Sequence, residues 1–421
     1  MGMTMTEKII ASHSGRRVVK PGDLVTCELD LVGIHDMMFF LSGEQGDFSR
    51  IRKVFDVDKV AVFVDHAVPA PTTADADSAV KERAFAKKHK IKNFFDVGRH
   101  GVIHQKIAEA GLALPGRLIT CSDSHTCAAG AFNCAAKGFG PADILYALCT
   151  GQSWYQVPGT VKYELHGSLP EYVTAKDVFL YIAGKYGDAA NQNIEFAGGG
   201  IKNLSISSRQ CIAVMCAELN AEFAVFPYDA VLEAYLGEKA VDAYEPVSPD
   251  SDAAYDAIRN LSLDEMEPYI SGAHYIPNNC RPVGESAGLP INQALLGSCS
   301  NGRLEDIALA AGMVKGKKIA ENVRFIVTPA SQEVYLEALR GGYLETLAEA
   351  GTVITNASCG ACYGGHMGLL GGGERCISTT TRNFKGRMGN PESEVLLASP
   401  ATVTASAVRG VVTDPRSFME G

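Results

Sequence analysis

Three cysteines carry the sharpest chemical signal in this chain. Cys359 and Cys362 form a CxxC inside the glycine-rich run SCGACYGGHMG, and Cys299 stands earlier, in GSCSNGR. A lone CxxC reads first as a structural zinc site or a redox pair. A third cysteine on a second turn opens another reading. Three thiolates on turns suit an iron–sulfur cluster, because soft sulfur ligands select iron–sulfur and zinc. Backbone N–H groups of the surrounding glycines can bond cluster sulfides. No fourth cysteine stands at matching spacing, which weakens a closed structural site. Three ligands leave one metal position open to substrate.

Acid–base residues form the second signal. DSHT sets Asp123, Ser124, His125 and Thr126 side by side, and Asp65-His66 and His104 precede it. Imidazole and carboxylate are the usual proton-transfer groups. Taken singly, each reads more plainly as a surface or hydrogen-bonded core residue. Three such groups after strand ends shift the balance toward a site. A third signal is TTTRNFKGR, where Arg382 and Arg387 share a polar loop. Arginine matches carboxylates bidentately, although such a pair alone reads first as surface arginines. The segment GMVKGKK lacks the GxxxxGK[ST] frame of a phosphate loop.

The elements that must hold these residues alternate. Lys59–Val64 reads as a buried strand with Asp65-His66 at its end, and Asp75–Lys90 as a helix. Arg117–Thr120 is a strand leading into CSDSHTCAAG. Val323–Thr328 is a strand before a helix over Gln332–Arg340, and Val353–Thr355 is a strand leading into NASCGAC. Ligands of open parallel sheets bind outside the carboxyl ends of the strands, so the fold class is α/β. The Pro-Gly break near Trp154–Gly159 and the turn-rich 276–290 divide the chain into domains 1–155, 156–275 and 276–421. Residues 244–256 read as an acidic loop, and 276–290 as a linker before the strand-like INQALLGSCS. There is no internal repeat at a fixed period.

Composition narrows the class. The chain has 421 residues, 46% hydrophobic and 20% charged, which excludes a disordered chain. The net charge of −10 argues against a large nucleic-acid footprint. The opening MGMTMTEKII has no long apolar run, so a cytoplasmic location is expected and disulfides are a poor default for the twelve cysteines. No apolar window reaches the length of a membrane span. Cys134, Cys149, Cys211 and Cys216 lie in apolar patterns and read as small buried hydrophobes. Cys121 and Cys127 flank DSHT and read as core thiols before ligands.

At these residues the chain resembles the aconitase superfamily, and within it the large subunits of the isopropylmalate dehydratases and homoaconitases. The likeness runs from about residue 20 to 410. It rests on DHAVPAPT, GVIHQ, DSHT, AKDV, GSCSNGRLED, SCGAC, RNFKGRMG and SPATVTASAV together. It implies three α/β domains around a central iron–sulfur cluster, without the swivelling fourth domain of the single-chain members. It implies one [4Fe–4S] cluster per chain on Cys299, Cys359 and Cys362, with the fourth iron free to act on substrate as a Lewis acid. Asp65, His66, His104, Asp123, His125 and Glu218 are then the expected catalytic residues. His35, Asp36, Ser124, Arg382 and Arg387 are the expected substrate contacts. A separate small subunit is expected to complete the site.

The implied activity is a hydro-lyase that isomerises a small hydroxy-dicarboxylic acid by dehydration and rehydration. Isopropylmalate, in leucine biosynthesis, is the first expectation. Alternatives are another alkylmalate, such as 2,3-dimethylmalate or citramalate, and the homoaconitase reaction. A reading from another class is an RNA-binding regulator in the cluster-free form, which the negative charge and the lack of a basic stripe disfavour. A zinc or redox scaffold without catalysis is a third. Three positions depart from the family pattern: Thr381 and Val214 stand where Asn is usual, and MMFF follows His35-Asp36 in place of a more polar segment. All three are expected near the site, where they bear on the substrate.

Overall fold

The computed structural model describes residues 2–41, 47–237 and 239–420. Besides a two-stranded antiparallel ribbon, Leu24–Glu28 with Gln152–Gln156, three larger sheets follow one another along the chain. In spatial order, the first holds Asn93–Phe95, Val60–Phe63, Leu31–His35, Leu118–Cys121 and Ala135–Gly138, all parallel. The second holds Phe223–Val225, Gln192–Ala197, Gly159–His166 and Ala257–Ser262, also all parallel. The third runs Cys280–Pro282, Tyr269–Ser271, Glu394–Ala398, Arg375–Ser378, Gln293–Gly297, Arg324–Thr328 and Val353–Ile354. Its last five strands are parallel, and Tyr269–Ser271 runs antiparallel to both neighbours.

The strand runs explain this architecture. VAVF at 60–63, LITC at 118–121 and QALLG at 293–297 are buried at every position. Unbroken apolar runs belong to parallel strands covered on both faces by helices. The helix expected over Asp75–Lys90 spans Thr73–His89, because Thr72 and Asp75 close a capping box at its start. Lys90 ends it in the left-handed conformation, after Lys87, Lys88 and His89 in the last turn. Those cations suit the negative end of the helix dipole.

Two sequence expectations need correction. The linker expected over 276–290 contains a strand, Cys280–Pro282, and a turn of 3-10 helix, Val283–Ser286. That strand is three residues long and only half buried, so it leaves no apolar pattern to read. Cys149 is exposed. It lies on the outer face of helix Pro141–Thr150, which buries Ile144, Ala147 and Leu148 instead.

The sheets share cores. One apolar cluster runs from Val178, Phe179 and Ile212 on helices of the second sheet to Leu295, Ile326 and Cys299 of the third. Another carries Phe223 and Val225 of the second sheet into the packing of the first. Each such buried side chain contributes about 1.5–3 kcal/mol. The first and third sheets also meet through backbone. Val102 N–H donates to the Ala330 carbonyl at 2.8 Å, and Gln332 N–H to the His100 carbonyl at 3.0 Å. Gly101 bridges Ser331 between them, and a Cβ on Gly101 would fall 2.6 Å from that of Ser331. Among the described residues, no helix is long and apolar enough to cross a membrane.

Candidate active site

The carboxyl ends of the strands converge. From the first sheet, Leu31–His35 leads to Asp36, Val60–Phe63 to Asp65-His66, and Leu118–Cys121 to Ser122–His125. From the third, Gln293–Gly297 leads to Cys299, Val353–Ile354 to Cys359, and Arg375–Ser378 to Arg382. The second contributes Glu218, in the 3-10 turn Cys216–Leu219 that follows helix Ile206–Met215. A cleft of about 520 Å³ opens among them. His35, His66, Ser124, His125, Arg382 and Arg387 all line it.

One histidine centre is compact. His66 Nδ1 hydrogen-bonds Asp65 and lies 3.4 Å from Asp36 Oδ1. Asp36 accepts the Ala67 N–H at 2.7 Å and the His66 N–H at 3.2 Å, and Asp65 Oδ2 accepts the Ile103 N–H at 3.1 Å. Against the burial that lowers it, Asp65, Cys359 and Asp36 raise His66 well above the ordinary imidazole value. His35 packs its ring 4.6 Å from that of His66, and burial together with the His66 charge lowers its own value.

The second centre is a chain. His104 Nε2 lies 2.8 Å from Asp123 Oδ1, which also accepts the His125 N–H at 2.8 Å. His125 Nε2 lies 2.7 Å from Glu218 Oε1, and Arg382 Nε donates to the same oxygen at 2.7 Å. Despite burial, His104 and His125 hold Asp123 well below the carboxylate range. Burial lowers His104 in spite of Asp123. Against burial, Asp123 and Glu218 raise His125, while His125 and Arg382 lower Glu218.

The cysteine loops close the site. Cys359 N–H donates to the Asp65 carbonyl at 2.9 Å, tying this loop to the compact centre. Burial pushes the Cys359 thiol up to about 12, and burial with Cys362, Asp123 and Cys359 beside it raises Cys299 well above the ordinary thiol value. Against its burial, Cys362 is lowered by Arg387, which approaches its Sγ to 3.8 Å, together with the Thr381 N–H and His125. Ser298, just before Cys299, holds φ at 75°, a backbone state that costs a non-glycine residue energy and clusters at functional sites.

These residues fit a multi-iron group better than one zinc. Four tetrahedral sulfurs on zinc stand about 3.8 Å apart, given Zn–S bonds of about 2.3 Å. Among the described residues, the close-packed donor group is His35, Asp36, Asp65 and His66, with ligand atoms within 4.8 Å of one another; the three sulfurs do not form such a group. Ser298 Oγ, Tyr363 Oη and Arg387 Nε lie buried on or beside the cysteine loops without a partner. Buried polar atoms are otherwise nearly always paired.

All the residues singled out in the sequence gather here, though at different depths. Ser124 is exposed at the cleft, Asp36 and Asp65 sit behind His66, and His104 sits behind Asp123. Of the departures, Thr381 Oγ1 lies 3.8 Å from Cys362 Sγ and Met37 lines the cleft. Val214 is instead buried in the apolar cluster, as are Met38 and Phe39 in theirs.

Two residues inside the quoted motifs have structural roles that residue type alone did not announce. Lys176, of AKDV, is fully buried and donates to the Thr379 and Thr380 carbonyls at 3.0 and 2.8 Å and to Ser300 Oγ at 3.1 Å. Arg303, of GSCSNGR, donates to the Cys299 and Ser300 carbonyls at 2.8 and 2.6 Å. Its Nε also reaches Gln105 beside His104, at 3.1 Å. Their signal was a cation inside an apolar or glycine-rich motif.

Comparison with known proteins agrees with this geometry. The 3-isopropylmalate dehydratase large subunit of Mycolicibacterium smegmatis is 49% identical over 419 residues, covering 100% of this chain and 98% of that one. That of Caldanaerobacter subterraneus subsp. tengcongensis is 43% identical over 417 residues, covering 99% of each. The 3-isopropylmalate dehydratase large subunit 1 of Methanopyrus kandleri is 42% identical over 421 residues, covering 100% of each. The model of the aconitase family (aconitate hydratase) matches residues 7–410, from within the first helix to the end of helix Pro400–Arg409. The chain belongs to the aconitase family.

Proposed function

We propose that this chain is the cluster-bearing large subunit of a cytoplasmic hydro-lyase that isomerises 3-isopropylmalate by dehydration and rehydration, and that a separate small subunit completes its site. The observation that carries the reading is the joining of Arg382, Glu218, His125 and Asp123 in one hydrogen-bonded chain at a cleft whose His66 and Arg387 also meet Cys359 and Cys362. The full-length likeness to large subunits supports it. We also propose domains 1–155, 156–275 and 276–421, one large sheet to each, with Tyr269–Ser271 crossing into the third sheet.

Cys299, Cys359 and Cys362 would hold a [4Fe–4S] cluster. When bound, that group supplies Lewis acidity at an iron without a protein ligand. The chain's own residues do the rest. Arg387 and Arg382 offer fixed guanidinium forks to the substrate carboxylates. His66, kept protonated by Asp65 and Asp36, gives its proton to the departing hydroxide. Asp123 holds His125 in place, and Glu218 couples its charge to Arg382. The proton lost from carbon would pass to a base of the small subunit; on rehydration that base returns it to carbon while His66 takes a proton back from water.

The test is an anaerobic assay of the iron-reconstituted chain, alone and with its small subunit, following alkene absorbance over alkylmalates, citrate and homocitrate. Turnover of isopropylmalate in the presence of the partner is expected. Turnover of a different hydroxy acid alone would replace the substrate and keep the chemistry. No turnover of any, with cluster and partner bound, would overturn the reaction class.

A further inference from the structure

We propose that a second pocket, where the edges of the first two sheets meet, is an effector site for a zwitterionic α-amino acid with an apolar side chain. The pocket holds about 380 Å³, within the range of small-molecule sites. Three segments make it. Lys137 lies on the edge strand Ala135–Gly138 of the first sheet, and Phe139 follows that strand. Glu222 precedes the edge strand Phe223–Val225 of the second sheet. Trp154, Gln156 and Pro158 come from the ribbon strand Gln152–Gln156 and the link that leads on to Gly159–His166.

The pocket's chemistry selects a ligand with both signs of charge. Lys137 and Glu222 form an ion pair across the two sheet edges, with side chains 30% and 24% exposed. A pair so open to water adds little stability, so a ligand can exchange it for two better ones. An amine or an acid alone would satisfy one partner and strand the other. An ammonium and a carboxylate on one carbon satisfy both. Apolar surface lies beside the pair. The Phe139 ring centroid is 5.2 Å from Lys137 Nζ. Trp154, the chain's one tryptophan, is 53% exposed there, while its neighbour Tyr155 turns into the core. Tryptophan suits a binding surface because its large face can be covered while its N–H finds a partner.

Backbone joins this pocket to the cleft. Phe139 borders both cavities. Between Lys137 and Phe139, Gly138 packs so closely on the DSHT loop that a Cβ there would collide with the Asp123 carbonyl oxygen. Asp123 in turn holds His104 and His125. A ligand that draws Lys137 away from Glu222 therefore acts on the strand end that supports Asp123.

Binding is read by Trp154 fluorescence on the reconstituted chain, with L-phenylalanine, phenethylamine and 3-phenylpropanoate as probes. The three share a ring and differ in their charges. A saturable change with L-phenylalanine at about 10 µM to 1 mM is expected, and at least about 10-fold weaker binding of the other two. Lys137→Met and Glu222→Gln should each weaken it about 10- to 100-fold, while changing kcat without ligand by less than about 2-fold. In the two-subunit complex, saturating L-phenylalanine should shift kcat/KM by about 5-fold or more, a shift lost in both variants. No saturable change, or equal affinity for all three probes, would overturn the amino-acid site and leave Lys137 and Glu222 as a strut between sheets. Binding that leaves the kinetics of the complex untouched would overturn the effector role. A response abolished by the small subunit would assign this face to that subunit and overturn the proposal. Fluorescence needs no turnover, so the binding result stands whichever hydroxy acid the complex acts on.

Discussion

Two histidine centres meet at one cleft, and they are built in opposite ways. The His66 centre is local. Asp65 is its sequence neighbour and Asp36 ends the adjoining strand, so one sheet holds both carboxylates against the ring. The His104–Asp123–His125–Glu218–Arg382 chain is distributed. Its members come from the first, second and third sheets. The local centre concentrates negative charge on one imidazole and keeps it protonated despite burial. The distributed one divides its histidines, lowering His104 and raising His125. A local pair makes a proton donor whose two carboxylates stand in one sheet, with Cys359 of the third sheet adding to them. A distributed chain makes a centre whose protonation depends on three sheets being docked.

The largest expected effect removes what both centres border. Cys299→Ala should abolish iron–sulfur absorbance and turnover together; retained absorbance after reconstitution would dismiss the three-cysteine assignment. Asp65→Asn attacks the local centre alone. It should cut kcat about 1,000-fold, within the range of one acid–base group, with the cluster absorbance kept. A drop below 10-fold would move the proton donor elsewhere. Glu218→Gln attacks the distributed chain, where Asp123 and Arg382 still stand, and should cost about 100-fold in kcat. If the two variants cost the same, the contrast drawn here fails.

Acid and alkali should also tell the centres apart. Asp123 and Glu218 are lowered on folding, so the stability they add is whole above the ordinary carboxylate range and is lost as pH falls through their folded values. His125 is raised, so its contribution is whole below the ordinary imidazole range and is lost as pH rises through its folded value. Urea midpoints should therefore fall toward both extremes, and Glu218→Gln should flatten part of the acid limb. A pH profile unchanged in that variant would exclude Glu218 from the linkage. The smallest effect lies at the rim. Glu333, about half exposed, pairs with buried Lys106 on the helix that carries His104. Glu333→Gln should change stability by less than about 1 kcal/mol and kcat by less than about 2-fold.

What could be read from the sequence follows the same division. Apolar strand runs with polar residues at their ends announced the parallel sheets and the residues Asp65, His66, Asp123 and His125, because a buried parallel strand writes its pattern locally. Tyr269–Ser271 and Cys280–Pro282 were not legible, since strands of three residues in an antiparallel pairing are too short to carry a period. Cys149 misled because the helix around it is apolar on average, and only the packing decides which face is outward. Lys176 binds the Thr379 and Thr380 carbonyls and Arg303 reaches the Gln105 side chain, and no spacing rule encodes a partner some two hundred residues away. Glu218 came from family likeness, because CAELNAEF by itself is an ordinary amphipathic turn.

The backbone seam between residues 100–102 and 330–332 has a mechanical consequence. Hydrogen bonds run across it in both directions, and it leaves no room for a side chain at Gly101. Two sheets joined in this way move as one jaw, so a substrate cannot enter by prising them apart there. Any opening motion must belong to whatever covers the cleft. On the proposed reading, a separate small subunit can come and go while this seam keeps its half of the cleft in shape.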